Sequence, residues 1–132
     1  MKALSTNITR ALPVGAKLTC ADNSGAKIVE IISVRGFKGT RRTKPTAGVA
    51  YQISVKVIKG DQKVMHEVHK AVVIRQKREF RRQDGMRVSF EDNACVLVDD
   101  TMAPKGSMVK GPIAKEVVIR FPMVGKISKI VA

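Results

Sequence analysis

Between Tyr51 and Val57 the chain puts Tyr51, Ile53, Val55 and Val57 on one face and Gln52, Ser54 and Lys56 on the other. Alternation at period two requires an extended strand with one buried face, and it excludes a helix, whose apolar positions recur every three to four residues. A lone strand leaves its backbone donors and acceptors unmatched on both edges, so it needs neighbours. The sequence supplies them. Residues 27–34 are rich in β-branched side chains, contain no Pro or Gly, and are closed by Gly36 and Gly39, which predicts a second strand. Further strands are predicted at 16–20, 70–76, 86–90 and 94–98. Short strands at this density, divided by Gly, Pro, Asn and Asp turns, predict a mainly β fold in the form of a small closed or partly closed barrel, closure being what removes exposed edges.

The last quarter reads differently. Gly111-Pro112 precedes Ile-Ala-Lys-Glu-Val-Val-Ile, and proline is preorganised for the first turn of a helix, so a short helix is predicted to begin there. Pro122 should end or restart it. With 44% hydrophobic residues in 132, the chain can build one core, and a single domain is expected. Within it, residues 1–104 would form the barrel with its loops and 105–132 a C-terminal loop with short helices. No internal repeat or low-complexity linker divides it. The apolar run Ala94-Cys-Val-Leu-Val98 falls far short of the roughly 20 residues of a membrane span, and the N-terminus lacks the apolar stretch of a secretion signal, so a cytoplasmic protein without a membrane partner is expected.

Charge constrains the partner. Lys and Arg total 25 against 11 Asp and Glu, a formal net charge of +14, and an excess of that size repels itself unless a polyanion neutralises it. The cations are clustered. Residues 35–44 carry Arg35, Lys38, Arg41, Arg42 and Lys44 with no acid, among two glycines and ahead of Pro45, a composition that lets backbone approach phosphate while the two adjacent arginines fork onto its oxygens. Residues 75–82 carry Arg75, Lys77, Arg78, Arg81 and Arg82 with one acid before the Asp84-Gly85 turn. Two basic hairpins could grip a polyanion from both sides. The alternative is a pair of solvated surface loops, for which so complete an exclusion of acids would be unusual. Aromatic residues are 4% and Trp is absent, which favours recognition of a folded RNA by shape and phosphate over base stacking. Phe37 and Phe80 lie inside the basic clusters, where they either insert against a base or ribose or pack at the loop roots. Residues 84–100 hold Asp84, Glu91, Asp92, Asp99 and Asp100 against Arg87 alone; this predicts an acidic face serving either local turns or a basic partner.

Catalytic and metal signatures are missing. Cys20 and Cys95 are too far apart in sequence for a metal-ligand spacing, and each sits in an apolar stretch, as buried free thiols do. His66-Glu-Val-His69 has a spacing of three, where a zinc helix needs four. The glycines of Gly106-Ser-Met-Val-Lys-Gly111 lack the order of a phosphate-binding Walker loop, and there is no dinucleotide fingerprint or nucleophile elbow. The expectation is a non-enzymatic protein with no cofactor and no metal.

One set of residues is specific enough to name a family. Ala71-Val-Val-Ile74, nine residues, Asp84-Gly85, four residues, Phe90, two residues, Asn93, two residues and Val96-Leu97 match the signature of the universal large-subunit ribosomal protein L-fourteen family at every fixed position. Cys20-Ala-Asp-Asn-Ser-Gly-Ala-Lys27, Lys44-Pro-Thr-Ala-Gly-Val49 and Gly111-Pro-Ile-Ala-Lys-Glu116 support the resemblance. Leu12-Pro-Val-Gly15, Val72-Val-Ile-Arg-Gln76 and Phe90-Glu-Asp-Asn-Ala94 resemble the archaeal and eukaryotic branch.

The resemblance implies a five-stranded OB-like barrel with a small helical C-terminal part, bound to large-subunit rRNA on the face that meets the small subunit. It implies a bridge to small-subunit rRNA, neighbours of the L-three and L-twenty-four-e types, and a docking surface for the anti-association factor, initiation factor six. By motif, the two basic clusters correspond to the family's RNA-reaching hairpins. Lys105, Ser107, Met108 and Lys110 correspond to its subunit-facing loop. Two departures stand out: Ala50-Tyr51 replaces the usual Gly-Asp, and the tail from Phe121 lacks the common Trp-Pro. The rivals are a free OB-type single-stranded RNA binder or chaperone, and a protein-docking platform built on the acidic segment.

Overall fold

The fold was analysed on a computed structural model that describes all residues, Met1–Ala132. Five strands close into a barrel: β1 (Lys17–Cys20), β2 (Ala26–Val34), β3 (Gln52–Gly60), β4 (Val68–Arg75) and β5 (Ala94–Val98). Successive strands pair antiparallel, and the ring is closed by a parallel seam in which Thr19 lies opposite Ala94 and Cys20 opposite Cys95. Leu18, Val29, Ile31, Ile53, Val55, Val57, Ala71, Val73, Cys95 and Leu97 fill the interior.

Strands β4 and β5 are apolar on both faces for a structural reason. Their outward residues Val72, Ile74, Ala94, Val96 and Val98 form a second core with Ile113, Ala114, Val117, Phe121 and Val124 of the C-terminal segment. A strand covered on both sides reads as a continuous apolar run, which is why 71–74 and 94–98 do not alternate while 51–57 does. The C-terminal segment forms two short helices, α1 (Lys115–Arg120) and α2 (Pro122–Lys126).

Two sequence expectations need correction. The strand predicted at 86–90 shrinks to Arg87–Val88, which pairs with Phe80–Arg81 in a small ribbon outside the barrel. Both edges of β4 are already occupied by β3 and β5, so no place in the ring remains for it. The helix predicted to open at Pro112 opens at Lys115 instead, because Pro112–Ile113 is extended and pairs in parallel with Ile130–Val131. The fixed φ of proline suits an extended segment as well as a first helical turn. Pro122 does restart the helix, at the first position of α2.

The Ala50-Tyr51 departure keeps its turn at a local cost. Ala50 adopts φ +65°, a left-handed conformation that costs a non-glycine residue about 1 kcal/mol, and its N–H donates to the Val73 carbonyl at 2.8 Å. The Tyr51 ring receives the Arg120 guanidinium at 5.9 Å.

Topology gives the barrel two ends. The β2–β3 and β4–β5 connections lie at one; the β1–β2 and β3–β4 connections and the segment after β5 lie at the other. At the first end Gln76, fully buried, acts as a tie. Its Oε1 accepts from Val49 N–H at 3.1 Å, and its Nε2 donates to the carbonyls of Thr9 at 3.1 Å and Arg78 at 3.0 Å. Removing it strands three buried or half-buried backbone groups, so Gln76→Ala should lower unfolding free energy by about 3 kcal/mol in urea titration; a loss below about 1 kcal/mol would show that these segments are positioned by packing alone.

Candidate nucleic-acid interface

Both basic clusters emerge from the first end of the barrel. Residues 35–44 leave β2 and return to β3, while 76–93 connect β4 to β5. Their residues divide sharply between inside and outside. Lys38, Arg41, Arg42 and Lys44 are exposed, and none has a carboxylate within 4 Å. The Arg41-Arg42 tip is shaped by a clasp in which the Thr40 hydroxyl donates to that of Thr43 at 2.8 Å, with Arg42 turned to φ +64°. At the root, exposed Arg35 donates through Nη1 to the Gln52 Oε1. In the second cluster Lys77, Arg78 and Arg81 are exposed and free of carboxylates.

Arg75 and Arg82 stand apart from the others. Arg75 is buried, donating through Nε and Nη2 to Asp92 at 2.9 and 3.2 Å and through Nη1 to the carbonyls of Lys110 and Pro112 at 2.8 and 2.9 Å. Of these four charge-assisted bonds, two hold the end of β4 to Asp92 in the β4–β5 connection and two hold it to the C-terminal segment. Gly111, at φ +78°, passes so close that a Cβ there would lie 2.6 Å from Nη1. Arg82 pairs with buried Glu116 at 2.8 Å and donates to the Ala132 backbone oxygen at 2.6 Å. These two cations organise the fold behind the loops. Phe80 is core, with Arg82 over its ring at 5.9 Å, and Phe37 packs against the barrel core, so both aromatics sit at loop roots.

The acidic segment is not one face. Strand β5 runs the length of the barrel between its two halves, leaving Asp84, Glu91 and Asp92 at the first end and Asp99 and Asp100 at the second. Most of these acids have local partners: Asp84 accepts from Met86 N–H at 3.0 Å, Asp92 holds Arg75, and Asp100 meets Lys70 at 2.7 Å, a contact that lowers the Asp100 pKa from its ordinary value.

The 105–111 loop starts at the second end, where Lys105 N–H donates to the Leu97 carbonyl, and runs back along the β1–β5 seam until Lys110 and Gly111 reach Arg75. Lys105, Ser107, Met108 and Lys110 are exposed along it. The loop is rigidly seated: Asn23 donates from Nδ2 to Ser107 Oγ and accepts from Ser107 N–H, both at 2.7 Å, and Lys110 N–H donates to the Ala21 carbonyl at 2.7 Å. A Cβ on Gly106 would lie 2.6 Å from Asn23 Oδ1, so only glycine fits the approach. Lys105 Nζ also reaches His69 Nδ1 at 2.9 Å, while His66 lies in the β3–β4 turn. Nothing in the Cys20–Lys27 motif signals this role of Asn23, because its partner is 84 residues away.

The thiols of Cys20 and Cys95, distant in sequence, face each other across the seam. Both are free and buried; a hydrogen bond with Cys20, then burial, raises the Cys95 pKa well above the ordinary thiol value, and Cys20 Sγ donates to Asp22 Oδ1 at 3.0 Å.

The profile of the family described as "Ribosomal protein L14p/L23e" matches residues 11–132. The chain belongs to this family of ribosomal proteins. Similar proteins include those called "Large ribosomal subunit protein uL14" from Methanococcus maripaludis and Methanoregula boonei, each 50% identical over 131 residues and 99% of both chains, and from Methanospirillum hungatei at 49% over the same share. The archaeal character of the Leu12, Val72 and Phe90 motifs agrees with these relatives. Members of the L14p/L23e family are structural, non-enzymatic components, and the barrel with its two short helices is this protein's version of that part.

The double hydrogen bond from Asn23 makes the second-end loop testable. In Asn23→Ala, hydrogen exchange at the Ser107 amide should quicken roughly tenfold, about 1.4 kcal/mol of local opening, with the barrel amides unchanged. Unaltered protection at Ser107 would show that the loop is held by the β-bridge of Val109 to Asp22 without Asn23.

Proposed function

We propose that this protein is a structural constituent of the large ribosomal subunit that binds large-subunit rRNA through the loops at the first end of its barrel. The observation that carries the reading is the set of seven exposed cations there, Lys38, Arg41, Arg42, Lys44, Lys77, Arg78 and Arg81, none with a carboxylate within 4 Å. Arg35 extends the set from the loop root. The mechanism is electrostatic: each cation that takes a phosphate releases condensed counterions, so binding weakens as salt rises. Arg75 and Arg82 contribute indirectly, by holding the loops' supports.

At the opposite end, the fixed 105–111 loop presents Lys105, Ser107 and Met108, with Lys110 exposed where the loop returns toward Arg75. The family resemblance supports assigning this end to the subunit interface, to a bridge with small-subunit rRNA and to initiation factor six, with neighbours of the L-three and L-twenty-four-e types. A ribosome-bound protein in the cytoplasm follows from that role. The low aromatic content opposes a free single-strand binder, which would stack bases on exposed rings; here Phe37 and Phe80 are at loop roots.

About five phosphate contacts at the first end predict that this end alone contributes about −4 to the log–log salt slope for binding to deproteinised large-subunit rRNA, taking roughly 0.7 to 0.9 per contact. Arg41→Ala with Arg42→Ala should flatten it by about 1.5; an unchanged slope removes that tip from the interface, and a flat slope in the unaltered protein defeats the reading. At the other end, Met108→Asp should leave rRNA binding intact and reduce subunit joining in sucrose gradients several-fold. Full joining by that variant would take the loop out of the bridge.

A further inference from the structure

The outer wall of β1, β2 and β3 carries cations that neither loop accounts for. Lys17 on β1 and Lys56 on β3 lie in register on either side of Glu30 on β2, two strand spacings or about 10 Å apart. Farther along, Lys27 and Lys59 should point into the apolar interior by simple alternation with Val29 and Val57. Two consecutive register shifts prevent it. One extra residue on β2 lies between Ala26 and Ile28, opposite the single step from Gly60 to Lys59, and one on β3 lies between Val57 and Lys59, opposite the step from Ile28 to Val29. Bulges re-aim side chains in this way. Both lysines are exposed as a result, and exposed Lys63 follows in the adjoining turn.

We propose that this wall is a second RNA-contacting surface, on which Lys17, Lys27, Lys56, Lys59 and Lys63 take phosphates of a duplex strand other than the one held by the first-end loops. The inference rests on the RNA-binding reading and extends it to a different face. Three observations carry it. The five lysines have no carboxylate within 4 Å, against Glu30, Asp61 and Glu67 as the acids of the wall and its turn. The wall is bare, because the C-terminal helices pack over β4 and β5. Its cations are all lysine, point charges suited to phosphate without the fork geometry of arginine, and between them lies the small, exposed Thr19, which permits close approach. The complementary surface is a polyanion without demand for base identity.

The test uses the full chain and deproteinised large-subunit rRNA, with the salt slope as readout. Lys27→Ala, Lys56→Ala and Lys59→Ala combined should flatten the slope by about two and weaken binding roughly a hundredfold at 0.1 M salt. The matching Lys→Arg triple should keep both, which separates charge from fold. Exposed lysines tolerate replacement, so circular dichroism and Tm should match the unaltered protein. An unchanged slope and affinity in the alanine triple, with the Arg41 and Arg42 variant still flattened, overturns the wall and spares the loops. An unaltered protein with no salt dependence overturns the RNA-binding reading itself. A normal slope with poor uptake into subunits would mean that the wall meets an acidic protein, which also overturns the proposal.

Discussion

Everything in this molecule depends on the parallel seam between β1 and β5, because it alone turns a curved sheet into a ring. The seam has few backbone bonds of its own: β1 is four residues long and β5 five. Asp22, just past β1, reinforces it. This carboxylate is buried, accepts from Leu97 N–H at 3.0 Å through one oxygen, and through the other takes the Ser24 hydroxyl at 2.6 Å and the Cys20 thiol at 3.0 Å. A buried charge is tolerated when such bonds replace its water, and this one fastens the β1–β2 turn to β5. The same turn supplies Asn23, so the loop at 105–111 inherits its position from the seam.

Closure also explains why the loops emerge at two distinct ends. In an open sheet the loops at 35–44, 76–93 and 105–111 could splay; in a ring their ends are fixed by strand direction. The first two leave the barrel where β2 and β4 finish, and the third where β5 finishes. Two cation-rich loops therefore converge, and the loop of family-matched interface residues starts on the far side. A protein so built presents separate loop surfaces at its two ends.

The sequence disclosed some of this and concealed the rest for physical reasons. Strand β3 was legible because only one of its faces is buried, so its side chains alternate. Strands β4 and β5 were legible by their β-branched runs, although their two-sided burial gave no hint of what covers them; that cover, the second core with the C-terminal helices, is made of residues 40 or more positions away from β4 in many cases, such as Val72 with Val117. The 86–90 segment was misread because alternation records burial at short range and cannot count the edges already taken in a ring. In the basic clusters, composition identified the charge but not its destination. Arg75 and Arg78 look alike in sequence, yet Arg75 turns inward to Asp92, 17 residues on, and Arg78 stays in solvent. The bulges that re-aim Lys27 and Lys59 have no local signature either, since they are properties of a pairing.

The pairing of charge shows how a chain of net charge +14 stays folded while its loop-tip cations remain unpaired. Carboxylates could in principle neutralise any of the cations. In the structure they sit beside Arg75 and Arg82, which support the loops from within, and beside Lys70 and Arg87, while the loop tips and the β1–β3 wall go unpaired. An internal carboxylate next to Arg41 or Lys38 would lower self-repulsion, but a phosphate would then have to displace it, and the counterion release that drives binding would be smaller. Arg75 and Arg82, buried and half-buried, are both paired, since an unpaired charge there would be the greater penalty, whereas the Lys70 and Arg87 pairs lie exposed. The repulsion left at the first end is borne by neutral supports: the Gln76 tie, the Thr40–Thr43 clasp and the contact of Arg35 with Gln52. Such ties hold a loop in shape without lowering its positive potential, as the proposed binding of folded RNA requires.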